Sequence, residues 1–394
     1  MAVRVKYINN NPVQGIKYDW KKILKEYEKL KVPIEYDYSK IIPWQNDAIK
    51  WHVMCSERSV GKTTVLLLMG MIMNKLYGTV IQLVRHHIDN ASYYSNLFKT
   101  VNEYEGGRYI NQLTDGKYNS VYYYSKNFYY CRVENGKRVE TCEEPLCVAL
   151  DASDCYSLCS KYEAPRGDLI ILDECFNDKN RPEEFQRFIH LHKTIVRERM
   201  SDKIFIVGNN LDVNNIWYRQ LTIQRQVRTL KKGQNIVAYT NMGMPISVHF
   251  LENRSPQMRE AFNKAHYGFD DPQLNAITGN GEWNLKQYPQ IHDLYNRKRL
   301  GRGVYFNYHD ELFLEGEFIE CDSGLFFAVH PAQWNAAQRA ELVFTLHFPQ
   351  KPNQVYFGND KISTMIKHFI MKKQIVFSDN ETGDLFEKFL SESA

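Results

Sequence analysis

The sequence predicts an α/β protein in which a mostly parallel sheet is followed by a second, smaller α/β unit. Residues 51–84 have the order strand, loop, helix, strand, which is typical of a βαβ unit with parallel strands. Residues 168–174 (DLIILDE) and 203–210 (KIFIVGNN) contain short, continuous apolar runs of the kind that form buried parallel strands. A chain of 394 residues is also too long for one ordinary core and suits two domains.

Composition indicates a folded protein that stays in the cytoplasm. Hydrophobic residues make up 43% and charged residues 24%, and 50 basic residues against 46 acidic ones neither require nor exclude a nucleic-acid partner. The N-terminus has no apolar segment behind a basic start, and the longest apolar run, Val65 to Met73, is far shorter than the roughly 20 residues that span a bilayer. The 8 cysteines form no Cys-x-x-Cys pair, so we expect reduced thiols rather than a zinc site.

The first elements follow from hydrophobic patterning. Residues Trp20 to Lys31 are charged and amphipathic, which predicts a surface helix. An apolar strand at 51–55, a helix over 62–76 and a strand at 79–84 come next. Residues 118–150 are dense in Tyr and Val with Asn135-Gly136 in the middle, which predicts an antiparallel hairpin inserted in the parallel sheet or added to it. The alternating aromatics favour packing on a sheet face over base stacking.

The parallel pattern resumes after the hairpin and gives way to a polar segment. A helix is predicted over Arg181 to Met200, opened by Pro182, and further strands over 235–239 and 245–252. Pro, Gly and Asn clusters then predict a linker, after which strand-like runs return. The predicted domains are 1–252, a linker over 253–290, and 291–394.

The strongest chemical signal is the segment Ser56 to Thr63, SERSVGKT. It departs from the Walker A pattern only at the first position, where Ser replaces Gly. Gly61 lets backbone amides approach phosphate oxygens, Lys62 supplies a charge to the β- and γ-phosphates, and the Thr63 hydroxyl is suited to Mg²⁺. The predicted nucleotide-binding residues of this loop are Ser56, Glu57, Arg58, Ser59, Val60, Gly61, Lys62, Thr63 and Thr64.

A second motif supplies the acidic partner that a P-loop requires. Four apolar residues, 169–172, end in Asp173-Glu174, the Walker B form. Asp173 would bind Mg²⁺ together with Thr63, and Glu174 would orient the attacking water. A buried strand that merely ends in two acids is the alternative. With the P-loop upstream, the pair predicts an ATPase that uses ATP and Mg²⁺, with Lys62 and Glu174 as catalytic residues.

A polar strand end is the candidate γ-phosphate sensor. The strand over 204–207 is followed by Gly208-Asn209-Asn210, and Asn209 is included in the predicted catalytic set. An Asx turn that caps the strand is the alternative, and the pattern does not choose between the two asparagines.

Phosphoryl transfer also gains from an arginine, often supplied by a neighbouring subunit. Arg199 and Arg197, at the end of the helix before the sensor strand, are the candidates, with Arg166 and Arg187 as competitors. Arginines near a helix C-terminus are also favoured by the helix dipole alone, which leaves a purely structural alternative open.

These residues resemble the terminase-like branch of P-loop packaging ATPases, and most closely the φ29-like group, over about residues 40 to 252. Ile42-Pro43-Trp44-Gln45 is similar to the adenine-binding element of that branch, which implies that Gln45 reads the adenine. Ser56 with Arg58 is typical of terminase-like P-loops, and Arg85 is similar to the arginine that ends the second strand there. The resemblance implies an ASCE, RecA-like domain.

The resemblance also implies partners. The chain would form a homo-oligomeric ring, which is pentameric in the φ29-like group. This ring would bind the portal of a capsid, double-stranded DNA and a structural packaging RNA. The implied location is the host cytoplasm, with transient docking on the prohead portal.

The same resemblance implies an RNase-H-like second domain, here without nuclease activity. The likely first strand of a nuclease would present an Asp where this sequence has Asn307, and Asp310 and Glu311 fall at a predicted hairpin turn. Glu315, Glu317 and Glu320 are expected at solvated positions. We expect this domain to bind nucleic acid or the portal, and the basic run 297–302 is either a phosphate-binding cluster or a solvated linker end.

The predicted function is therefore ATP-driven translocation of double-stranded viral DNA into a capsid. A large terminase with an active nuclease and a non-hydrolysing P-loop scaffold that binds the portal are the alternatives. A helicase is disfavoured, because Asp173-Glu174-Cys175-Phe176 is not a DEAD or DExH box and no second motor domain is evident.

Overall fold

The computed structural model divides the chain into two compact units, Met1–Asn284 and Leu285–Ala394. It describes residues 16–33, 42–56, 61–85, 96–152, 168–176, 182–197, 199, 201–208, 215–228, 230–252, 288–308, 311–332, 342–346, 349–358 and 360–393. The predicted linker lies outside these residues as far as position 287. None of the helices in the described ranges combines the length and apolarity needed to cross a bilayer.

The first unit combines helices and strands, as the sequence predicts. Its elements in chain order are α1 (Trp20–Lys29), β1 (Trp51–Cys55), α2 (Lys62–Tyr77), β2 (Ile81–Arg85), α3 (Lys99–Glu103), α4 (Arg108–Leu113), β3 (Ser120–Tyr124), β4 (Asn127–Glu134), β5 (Lys137–Thr141), β6 (Cys147–Asp151), β7 (Leu169–Leu172), α5 (Pro182–Val196), β8 (Lys203–Gly208), α6 (Ile216–Gln220), α7 (Gln224–Arg228), β9 (Asn235–Tyr239) and β10 (Pro245–Phe250).

These strands form one sheet in the order β3-β4-β6-β2-β7-β8-β1-β10-β9, with β5 paired to β4. The central strands from β6 to β10 are parallel, and antiparallel strands extend the sheet at both sides. The predicted parallel-rich α/β sheet is confirmed. Because β8 lies between β1 and β7, the residues that follow these three strands meet at one edge of the sheet.

Apolar cores cover both faces of this sheet. Helices α1 and α2 pack with the face that carries Met54, Leu83 and Phe205. The helix residues Phe188 and Trp217 pack on the other face. The contact of α2 is very close at Gly70, where an added Cβ would lie 2.5 Å from the Ile81 side chain. That fit fixes α2, which begins at Lys62, against the middle of the sheet.

The predicted hairpin is confirmed, with one difference in its extent. Asn135 and Gly136 both adopt positive φ, 49° and 73°, the geometry of a type I′ turn between β4 and β5. Tyr118 and Tyr130 are buried in the core, in agreement with the packing interpretation, whereas Tyr124 is 66% exposed. The end of the predicted segment is instead β6, which pairs parallel with β2 and belongs to the main sheet.

The predicted helix over Arg181 to Met200 is too long. The helix α5 ends at Val196 because Arg197 takes a left-handed backbone conformation with φ of 44°. Arg197 and Arg199 therefore follow the helix rather than belonging to it.

In its described residues the second unit is a mixed sheet with two α-helices. Its elements are β11 (Lys298–Tyr308), β12 (Glu311–Cys321), β13 (Gly324–Pro331), β14 (Val343–Thr345), β15 (Gln354–Tyr356), α8 (Lys361–Met371), β16 (Ile375–Phe377) and α9 (Asn380–Ser393). The strand order is β15-β14-β11-β12-β13-β16, with an antiparallel meander at its centre and parallel strands on both sides. The Asp360 side chain accepts from the amides of Ile362 and Ser363 and caps α8.

Candidate functional site

The glycine and lysine of the predicted P-loop occupy the start of α2. Gly61 has φ of 85°, a conformation that glycine adopts without steric cost, and it precedes the first residue of the helix. Lys62 is only 5% exposed, and its ammonium group donates to the hydroxyl of Ser56, which is fully buried. The lysine charge is therefore held at the edge where β1 ends, beside the first turn of a helix whose amides face outward.

The two acidic residues follow β7 at the same edge. The Asp173 amide donates to the Val84 carbonyl at 2.9 Å, and the Cys175 amide donates to the Val207 carbonyl at 3.1 Å. Between these two anchors Glu174 adopts a left-handed conformation with φ of 55° and is exposed. A non-glycine residue in this region is strained, and the flanking hydrogen bonds hold it there. The backbone thus turns the Glu174 side chain away from the sheet.

The two motifs meet through Thr63 and Asp173. The Thr63 hydroxyl donates to Asp173 Oδ1 at 3.4 Å, across 110 residues of sequence. The other carboxylate oxygen, Oδ2, accepts from Arg85, with 3.1 Å to Nε and a second bond to a terminal nitrogen. Asp173 is 4% exposed, so both of its oxygens are directed by protein groups. The structure therefore brings Lys62, Thr63 and Asp173 together.

Two cysteines beside the motifs stay protonated. Cys55 ends β1 and is fully buried, which raises its pKa to about 11. Burial, with the charge of Asp173 as a further cause, also raises the pKa of Cys175 well above its ordinary value. A thiol is a metal ligand or nucleophile as the thiolate, so neither cysteine is poised for that chemistry.

The donor set at this edge fits a magnesium ion. Mg²⁺ binds oxygen at about 2.0–2.1 Å with octahedral geometry, which places neighbouring ligand oxygens about 3 Å apart. The Thr63 hydroxyl and Asp173 Oδ1, 3.4 Å from each other, match two adjacent ligands of one ion. A hydroxyl and a carboxylate are also the oxygen ligands that this hard cation prefers.

Arg199 has partners inside its own chain. Its Nε donates to Asp168 Oδ1 at 2.9 Å, and a terminal nitrogen donates to the Ile195 carbonyl at 2.8 Å. Asp168 is fully buried and precedes β7, at the opposite edge of the sheet from Asp173. Arg197 is exposed. A role of Arg197 or Arg199 at a neighbouring subunit's site stays a prediction. The contacts of Arg199 indicate that it also stabilises its own chain by pairing with the buried Asp168.

Gln45 lines a cavity of about 290 Å³ with Leu24, Glu28 and other residues of the segment 42–46. The segment that follows Gln45 is anchored at the edge where the strands begin, because the Lys203 ammonium donates to the carbonyls of Asn46 and Ile49 at 2.7 Å each. Lys62 lies at the opposite edge, where β1 ends. The described residues thus do not bring Gln45 close to Lys62, and adenine recognition by Gln45 stays a prediction.

Several predicted residues fall outside the described part of the chain. They are Glu57, Arg58, Ser59, Val60, Asn209, the alternative sensor Asn210, and Arg166.

Two contacts at the site were not assigned a role from the sequence. Arg85 follows an apolar strand, and an arginine at the end of a buried strand is the only local signal of its contact with Asp173. Gly208 ends β8, and an added Cβ there would lie 2.1 Å from a ring carbon of Phe176. This glycine lets the segment after Glu174 lie directly on β8.

In the second unit, Asn307 stands where a nuclease would present a metal-binding acid, and the nearby acids differ in burial. Asn307 is 6% exposed and lies in register with Thr345 on the neighbouring strand. The expectation of a solvated Glu315 is wrong, because it is 7% exposed and accepts from Arg299 at 3.2 Å. Arg299 also pairs with Glu317 at 3.0 Å, so this member of the basic run is neutralised within the domain. Glu320 is exposed, as predicted, and Asp310 lies outside the described residues.

Comparison with known proteins confirms the coarser part of the predicted fold, a mixed α/β protein with a parallel-rich sheet. The chain is similar to the bacteriophage Phi-29 viral genome packaging motor assembly, with a TM-score of 0.54 and 14% identity over 91% of this chain and 99% of that one. It is also similar to the Phi-28 gp11 DNA packaging motor, with a TM-score of 0.51 and 14% identity over 91% and 96% of the two chains. No family model and no curated protein matches the chain. The likeness in sequence is low, so what the chain shares with these two packaging motors is the fold.

Proposed function

We propose that this chain is the ATP-hydrolysing subunit of a motor that moves double-stranded viral DNA into a preformed capsid. The observation that carries the proposal is the meeting of Thr63 and Asp173 at 3.4 Å beside the buried Lys62. Fold similarity to two motors that are named for DNA and genome packaging supports the choice of this function among those that P-loop proteins perform.

The residues divide the work of phosphoryl transfer. Lys62 and the amides at the start of α2 bind the phosphates, and Thr63 with Asp173 would hold Mg²⁺, which neutralises charge on the β- and γ-phosphates. Glu174, exposed and held by its strained backbone, orients the attacking water and accepts its proton. Gln45 is proposed for adenine, Asn209 for the γ-phosphate, and Arg197 or Arg199 for a neighbour's site.

The proposed assembly is a homo-oligomeric ring, with five subunits by its resemblance to the φ29-like group. It docks on the portal of the prohead in the host cytoplasm, and a structural packaging RNA is a proposed further partner. The second unit is proposed as an RNase-H-like domain without nuclease activity. The buried Asn307, in register with Thr345, supports the loss of a metal-binding acid there.

The test is ATP turnover by wild type and Glu174→Gln, with and without double-stranded DNA. Glu134→Gln is the matched control, since Glu134 is an exposed acid on the edge hairpin. We expect Glu174→Gln to lose at least about 100-fold in kcat, the usual contribution of a general base, and the control to keep wild-type turnover. Equal and negligible turnover in all three proteins would favour a non-hydrolysing scaffold. Cleavage of plasmid DNA with Mn²⁺ would favour a terminase with a working nuclease.

A further inference from the structure

The carboxylate of Asp173 is oriented by two different groups on its two oxygens. Oδ1 accepts from the Thr63 hydroxyl at 3.4 Å, and Oδ2 accepts both hydrogen bonds from Arg85. A carboxylate on a short side chain would otherwise rotate about its terminal torsion, which is broad. The guanidinium fixes that rotation because its two donors converge on one oxygen in a rigid plane.

Arg85 is placed for this task by the sheet itself. It ends β2, which pairs in parallel with β7, and Asp173 follows β7 immediately. The Asp173 amide donates to the carbonyl of Val84, the residue before Arg85. The main chain and the side chain of Asp173 are thus both held by consecutive residues of β2. The Arg85 side chain is 13% exposed and that of Asp173 is 5% exposed, so solvent screens their charges only partly.

We infer that Arg85 is a positioning residue that holds Oδ2 of Asp173, so that Oδ1 and the Thr63 hydroxyl are presented together to a divalent cation. This inference rests on the proposed function, since it concerns the metal of the same nucleotide site. Partners that orient a metal ligand typically change metal affinity by about 10- to 100-fold when they are removed. Arg85 need not touch the nucleotide for that effect.

The test measures metal binding rather than turnover. Mn²⁺, whose free form is counted by electron paramagnetic resonance, is titrated into the full-length protein in the presence of ADP. ADP affinity is measured separately in EDTA. For Arg85→Gln we expect Mn²⁺ affinity to fall at least about tenfold, with ADP affinity in EDTA unchanged, because Lys62 and the P-loop amides remain. Arg85→Lys keeps the charge without the planar fork, so its Mn²⁺ affinity should lie between those of wild type and Arg85→Gln.

Arg132→Gln is the matched control. Arg132 pairs with Glu134 at 2.7 Å on the edge hairpin, where both side chains are about half exposed, so this variant should bind Mn²⁺ and ADP like wild type. Mn²⁺ binding by Arg85→Gln that equals wild type overturns the inference. Tighter binding also overturns it, because Arg85 would then compete with the cation. A wild-type protein that binds neither ADP nor Mn²⁺ overturns the proposed function and this inference with it.

Discussion

The ion pair of Arg199 and Asp168 makes a prediction that separates a structural arginine from one that acts on a neighbouring subunit. Asp168 is fully buried, and Arg199 Nε donates a charge-assisted bond to its Oδ1 at 2.9 Å. The hydroxyls of Tyr18 and Ser201 donate to the other oxygen, at 2.6 and 3.1 Å. Replacement of Arg199 by Ala would therefore leave the buried Oδ1 of Asp168 without its arginine donor.

The expected loss follows from that geometry. Removing one partner of a buried ion pair costs about 3–5 kcal/mol. Arg199 is 20% exposed and Asp168 keeps two hydroxyl donors, so we take the lower end, about 3 kcal/mol. For a unit of this size, about 2–4 °C of Tm is lost per kcal/mol, which predicts a fall of about 6–12 °C for Arg199→Ala.

Thermal unfolding of the full-length protein, followed by circular dichroism and calorimetry, measures this shift in the first unit. Arg197→Ala is the control, since Arg197 is exposed and a surface substitution changes stability by about 0.5 kcal/mol or less. Arg199→Ala with an unchanged Tm, and with ATP turnover lost only in the assembled oligomer, would refute the structural role and place Arg199 at a neighbour's site.

Three further predictions follow from buried groups of the first unit. Gly208→Ala, whose Cβ would lie 2.1 Å from Phe176, should displace the segment after Glu174 and lower kcat at saturating ATP by about tenfold or more. Burial lowers the pKa of His249 to about 4, whereas the pKa of a histidine in the unfolded chain is near 6.5, so the unfolded chain binds the proton first as the pH falls. The free energy of unfolding should therefore be highest above about pH 6.5 and fall by about 3 kcal/mol towards pH 4 in urea titrations. His249→Gln should flatten this slope. Lys203→Met removes two hydrogen bonds of 2.7 Å to the carbonyls of Asn46 and Ile49 and should lower the urea midpoint by the equivalent of about 2–4 kcal/mol.

What the sequence predicts well is local. The glycine and lysine at the start of α2 and the two acids after β7 are each recognised from a few consecutive residues. The parallel sheet then brings them together without further information, because parallel strands end at a common edge. The prediction of the Asn135-Gly136 turn is confirmed for the same reason, because these two residue types favour the positive φ values that the turn requires.

What the sequence does not predict depends on distant pairs. Arg85 and Asp173 are 88 residues apart, and Tyr18 and Asp168 are 150 apart, so neither contact has a signature in a short window. The sequence also predicts too late an end for α5, because helical periodicity continues past Val196 while the backbone of Arg197 turns left-handed. A single residue in that conformation is decided by tertiary contacts more than by propensity.

The direction of the strands explains why similar charges at the two edges of one sheet have different roles. At the edge where strands begin, Asp168 and Lys203 are buried and paired with groups that fasten distant segments to the sheet. At the edge where they end, α2 starts with outward-facing amides, and Asp173 shares its carboxylate between Arg85 and a hydroxyl suited to a cation. An aspartate next to an apolar strand has the same local sequence pattern at both edges. Only its position before or after the strand distinguishes the structural anion from the one that can bind metal, and that rule assigns Asp168 and Asp173 to opposite roles.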